Sequence, residues 1–141
     1  MSKKTYLIFV TLICLGGSIG ALARNLNEPQ IELGTYVFVS FSMNDESLRS
    51  YFREATHYNA KLVMRGLVGG SSERNRFALT KEKMEKARIN VDINPVLFEQ
   101  LNVSHVPAIV TVSKEGKIKK VSGHISLEKA LEIMDEHREV K

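Results

Sequence analysis

The chain has 141 residues, 43% of them hydrophobic, with 20 Lys and Arg against 16 Asp and Glu and a formal net charge of +4. That is enough apolar material for one compact domain, and the charge is too balanced to mark a nucleic-acid binder. With Cys14 as its one cysteine, the chain has no intrachain disulfide framework, so its stability rests on a hydrophobic core.

The first residues follow the three-part plan of a secretory signal peptide. Lys3 and Lys4 are followed by an apolar run from Tyr6 to Leu15, then by Gly16, Gly17 and Gly20, and then by the small residues of Ala21-Leu22-Ala23. The run is short of the roughly 20 apolar residues that a bilayer-crossing helix needs, and Ile13 before Cys14 does not suit a lipoprotein site. Cleavage near Ala23 is therefore expected, with export to the periplasm, no stable membrane span in the mature protein, a signal peptide over 1–23 and a flexible polar tail over 24–35. Retention of the leader as an anchor is the alternative. Cleavage removes Lys3, Lys4 and Cys14, leaving 18 basic residues against 16 acidic ones and no thiol.

From residue 36 the pattern alternates between strands and helices. Tyr36 to Phe41 is β-rich and apolar on both faces at its start, as a central strand is. Asn44 or Asp45 caps a helix to about Tyr58 whose apolar face carries Leu48, Tyr51, Phe52 and Ala55, and Asn59 suits a left-handed end. Lys61 to Val68 reads as a second strand, closed by Gly69 and Gly70. Ser71 or Ser72 opens a charged, weakly amphipathic helix through Ala87. Ile89 to Ile93 alternates as a short strand. Asn94-Pro95 starts a helix carrying Leu97, Phe98 and Leu101. Ala108 to Val112 and Ile118 to Val121, joined by the turn Lys114 to Lys117, read as a hairpin. Ser126 caps a last helix with the stripe Leu127, Ala130, Leu131 and Met134.

The resulting order, a strand–helix–strand opening that ends in a hairpin and a terminal helix, is the thioredoxin arrangement. Periodicity alone gives α/β with one layered sheet, and two local features sharpen the expected fold class to a single thioredoxin-like domain over 36–141 with a central mixed sheet flanked by helices. Val106-Pro107 stands before a core strand, where such domains hold a cis proline, and Ser40 to Ser47 is the strand–helix junction where they carry Cys-x-x-Cys.

Four stretches taken together resemble the TrbC family of F-type conjugative transfer systems: Val39 to Met43, Leu62 to Val68, Asn94 to Phe98 and Val106 to Ala108. The resemblance covers Tyr36 to the end of the last helix. It departs at Asn94, where the family has Asp, and Asn is an equally good cap. It implies a periplasmic pilus-assembly protein whose partners are other conjugation proteins, TraW-like or TraU-like, or pilin.

Residue types argue against catalysis. The positions read as matching the two cysteines are Met43 and Glu46. A thioether does not ionise and a carboxylate does not attack a disulfide. Asp45 and Glu46 suit a first helical turn, where negative charge is favourable. Ser42 and Ser47 have no paired base, and His57, His105, His124 and His137 lack metal-ligand spacing. Gly66, Gly69 and Gly70 precede no Lys-Ser/Thr, which rules out a phosphate-binding loop. No cofactor, metal or nucleic acid is expected.

Arg65, alone among apolar residues from Leu62 to Val68, reads either as a structural ion pair or edge residue, or as a partner contact. The expected function is a non-catalytic assembly factor that binds a partner through Met43, Asn44, Arg65, His105, Val106 and Pro107. A holdase resembling a disulfide isomerase without redox activity is the alternative.

Overall fold

Thr35 to Val39 is β-branched and aromatic with no charge, a composition that suits a strand buried on both faces, and it forms the middle of the sheet. The computed structural model describes residues 30–69 and 72–136. In it β1 (Gly34–Val39) pairs in parallel with β2 (Lys61–Met64) and antiparallel with β4 (Ala108–Val112). β3 (Asp92–Ile93) lies at one edge, parallel to β2, and β5 (Ile118–Ser122) lies at the other, antiparallel to β4. The sheet order is β3-β2-β1-β4-β5.

Alternation along β1 builds two cores. Val37 and Val39 face α1 (Asp45–His57), the end of α2 (Glu73–Ala87) and α4 (Leu127–Glu136), and they pack with Leu48, Met64, Ile109 and Leu127. Tyr36 and Phe38 face the other way and pack with Phe98 of α3 (Pro95–Gln100) and with Val63, Val110 and Val103. Phe38 and Phe98 meet edge to face with ring centroids 4.7 Å apart, a favoured geometry for an aromatic pair. Each such side chain, once buried, contributes about 1.5–3 kcal/mol relative to exposure. The expected thioredoxin-like α/β plan, a mixed sheet flanked by helices on both faces, is the observed one.

The helices begin on the residues whose side chains satisfy free N–H groups. Asn44 Oδ1 accepts the Ser47 N–H at 2.8 Å, Ser72 Oγ that of Asn75 at 3.2 Å, Asn94 Oδ1 that of Leu97 at 3.0 Å, and Ser126 Oγ that of Lys129 at 3.2 Å. The first helix is followed by Asn59 at φ 52, the left-handed conformation expected of it. The second ends on Arg88, also left-handed at φ 54, with the Ile89 N–H reaching back to the Met84 carbonyl at 3.0 Å. That closure draws Ile89 into the core, so the strand expected over Ile89 to Ile93 is reduced to Asp92–Ile93.

Three further boundaries differ from the sequence reading, the first being that the strand read as running to Phe41 ends at Val39. β1 begins at Gly34, opposite Val112, so Gly34 and Thr35 belong to the sheet and not to a tail. β2 stops at Met64, where its pairing with Val39 and Ile93 ends and the Asn94 N–H takes the Met64 carbonyl at 2.9 Å. Arg65 to Gly69 therefore leave the ladder as an irregular segment. The signal peptide over 1–23 and residues 24–29 of the expected tail lie outside the described residues, as does His137. Among the described residues no helix is long and apolar enough to cross a membrane.

Candidate functional site: a basic groove beside the proline loop

At the carboxyl end of β1 the chain also leaves β2 and enters β4, because β2 runs parallel and β4 antiparallel to β1. A groove of about 570 Å³ lies at this end, walled by Val39 at the end of β1 and Phe41 beyond it, Met64 at the end of β2 and Leu67 beyond it, Phe98 on α3, and Val106 before β4. Its polar lining is Ser40, Ser42, Ser104, Arg65 and Lys83, and no Asp or Glu lines it.

Each wall is held by a specific contact. A turn at the end of β1 redirects the chain into α1: the Met43 N–H donates to the Ser40 carbonyl at 3.0 Å, and Ser42 Oγ donates to Ser40 Oγ at 3.0 Å. On the opposite wall the Val68 N–H donates to Thr80 Oγ1 at 2.9 Å, while that hydroxyl donates to the Arg76 carbonyl at 2.7 Å. Thr80 is the buried polar residue of α2, and it fastens the irregular segment to that helix. Lys83, one turn on, donates to the Phe41 carbonyl at 3.2 Å and links the two walls.

Arg65 is exposed just after β2, and its side chain reaches to α3 and the segment that follows it. Its Nη2 donates to the Val103 carbonyl at 2.7 Å, and its guanidinium carbon lies 5.0 Å from the centre of the Phe98 ring. No carboxylate among the described residues forms an ion pair with it, so of the readings left open by the sequence the structural ion pair is not the one adopted.

The six residues singled out in the sequence do not share one cavity. Arg65 and Val106 line the groove. Met43 is turned inward and packs against the larger core. Asn44 caps α1, so the position that receives helix N–H groups is Asn44, one residue after the Met43 matched to a cysteine. His105 is exposed, with Nδ1 2.9 Å from Ser104 Oγ. The Val106-Pro107 peptide is cis, and the Pro107 carbonyl accepts the Gly123 N–H at 2.9 Å. Pro107 is buried beside the groove and does not line it.

Phe41, Leu67, Lys83 and Phe98 complete the groove without having been singled out for it. Phe98 was legible as core. Lys83 is one of several charges along α2, and nothing in its neighbours distinguishes it. Among the described residues no cluster of His, Cys, Asp or Glu can hold a metal ion.

Fold and site together define a thioredoxin-like domain without cysteines, whose end groove carries two cations and three serines among apolar walls. Residues 37–134 match the family model described as the type-F conjugative transfer system pilin assembly protein, and the chain belongs to that TrbC family. The periplasmic protein TrbC of Escherichia coli is 30% identical over 99 residues, covering 70% of this chain and 46% of that protein. The chain thus spans under half the length of this curated relative.

Among solved structures, the Mycobacterium tuberculosis DsbF in mixed oxidized and reduced forms aligns with a TM-score of 0.45 at 15% identity, over 72% of this chain and 78% of the other. The pneumococcal exposed lipoprotein thioredoxin of Streptococcus pneumoniae aligns at 0.46 and 20% identity, over 72% and 82%. A secreted Mycobacterium tuberculosis disulfide oxidoreductase homologous to Escherichia coli DsbE aligns at 0.45 and 14% identity, over 75% and 80%.

Proposed function

We propose that this member of the pilin assembly family is a non-catalytic periplasmic factor that acts in conjugative pilus assembly by binding another protein of the transfer apparatus in the groove between Phe41, Leu67 and Val106. The observation that carries this reading is a sizeable apolar groove, at the end of the sheet where thiol chemistry would sit, lined by Met64, Phe98 and Val106 and by no cysteine. Apolar concavities with a few placed polar groups are where ligands and partner side chains dock. Without a thiolate the site has no nucleophile for disulfide exchange, and recognition remains. Periplasmic placement is supported by the name of the Escherichia coli relative and by the leader-like first 23 residues. The partner belongs among the other conjugation proteins or pilin.

The test is complementation of a strain lacking the gene with a Val106→Asp variant. Val106 is half-buried on the groove wall, and a carboxylate there spoils an apolar contact surface. The expected result is loss of pili at normal protein level and with an unchanged circular dichroism spectrum. Normal piliation with a folded Val106→Asp protein rejects the groove as the contact surface.

A further inference from the structure

We infer that the groove recognises an internal acidic side chain, Asp or Glu, of an extended segment of the partner protein, with Arg65 as its receptor. This deepens the binding role proposed above and rests on it.

Charge complementarity is the first ground. The groove lining holds two cations, Arg65 and Lys83, three serines and no acid. In a chain with 16 Asp and Glu, exclusion of every acid from this surface leaves it positive, and a cationic recess with apolar walls favours an anionic guest over a neutral one.

The second ground is how Arg65 is held. Free arginines at a surface lose side-chain entropy when they grip a ligand. Arg65 is already restrained at two points, by the Val103 carbonyl at 2.7 Å and by the Phe98 ring at 5.0 Å. One Nη2 donor is used, and the planar fork retains its other N–H groups without a carboxylate partner among the described residues. A fork fixed in place and short of an anion matches a carboxylate, which it binds by paired, charge-assisted hydrogen bonds. The carbonyl of Val103 and the face of Phe98 are both electron-rich and favour the cation without neutralising it.

The third ground is the setting. Met64, Phe98 and Val106 line the same groove as Arg65, and about 570 Å³ leaves room for neighbouring side chains of the guest. An acidic residue flanked by aliphatic ones fits both features. Lys83, also in the lining and already engaged with the Phe41 carbonyl at 3.2 Å, adds positive potential.

The experiment uses the full chain in cells carrying the transfer apparatus, with His105, exposed next to the lining residue Val106 and not itself in the lining, replaced by a photo-reactive benzoylphenylalanine. Adducts are mapped by mass spectrometry in three backgrounds: Arg65 unchanged, Arg65→Gln and Arg65→Lys. The expected result is a cross-link to a partner segment in which changing one Asp or Glu to its amide abolishes the adduct. Arg65→Gln is expected to lower the yield at least about ten-fold, and Arg65→Lys to restore part of it, because lysine keeps the charge but not the fork. Equal yield in Arg65→Gln, or a segment with no sensitive acid, overturns the carboxylate inference and leaves the groove reading standing. No adduct from a folded protein removes the groove reading and the inference with it.

Discussion

Arg65 lies over Phe98, its guanidinium carbon 5.0 Å from the ring centre, while Nη2 reaches the carbonyl of Val103 at 2.7 Å. The same ring closes edge to face on Phe38 in the centre of the sheet. A surface cation is thereby connected through one aromatic side chain to the innermost strand. A double-mutant cycle of Arg65→Gln and Phe98→Leu is expected to give a coupling of about 0.5–1 kcal/mol in chemical denaturation, the range for an exposed cation over a ring. Strictly additive losses contradict the contact.

Thr80 holds the groove wall. Thr80→Val keeps shape but leaves the Val68 N–H without its acceptor at 2.9 Å. The expected loss is about 1–3 kcal/mol of stability, the penalty of an unsatisfied group in a buried setting. Amide exchange at Val68 should accelerate more than exchange in β1. Uniform change across both would mean that the hydroxyl stabilises the fold generally and does not pin this segment.

Asn44 is a cap before it is anything else. Its Oδ1 accepts the Ser47 N–H at 2.8 Å, and Asn44→Ala is expected to cost about 1 kcal/mol. Asn44→Asp, which caps as well and adds a favourable charge at the helix start, should retain stability. Comparing the denaturation midpoints of the two variants checks this, and equal destabilisation by both contradicts the capping role.

Glu32 and Lys61 pair at the surface, where their contact and charge hold the Glu32 carboxyl below its ordinary range and the Lys61 amine above its own. A carboxyl whose value is lowered by folding contributes stability above its ordinary titration range, and that contribution is lost as pH falls through the lowered value. The raised amine works in the opposite sense, contributing below the ordinary lysine range and losing it as pH rises through the raised value. The midpoint gap between the parent and Glu32→Gln should therefore be present at neutral pH and close in acid. A gap that persists at low pH would assign it to something other than the ion pair.

Much of the fold was readable from the chain because its signals are local. Asn44, Ser72, Asn94 and Ser126 each cap the helix their positions announced. Val37 and Phe38 are buried on opposite faces because an uncharged, β-branched strand has no side to give to water. Boundaries set by partners were harder. Met64 ends β2 because its neighbours run out there, and Ile89 is drawn into a helix end by a left-handed Arg88, a conformation that arginine does not advertise. The groove was least legible. Its walls come from segments after β1, after β2, on α2, on α3 and before β4, so its composition depends on sheet order. Arg65 was conspicuous as a lone charge, and Val106 through its proline, whereas Met43 was placed in the same site by analogy with a cysteine and packs inward.

The central claim is that this domain serves conjugation by occupancy of its end groove. The most direct measurement is plasmid transfer frequency with Ser42→Trp, which fills the groove from an exposed position, beside Glu128→Trp, a bulky control at an exposed site on α4. The account predicts that Ser42→Trp falls to the level of the deletion strain while Glu128→Trp transfers like the parent, with both proteins folded. Parental transfer by a stably folded Ser42→Trp protein would contradict it.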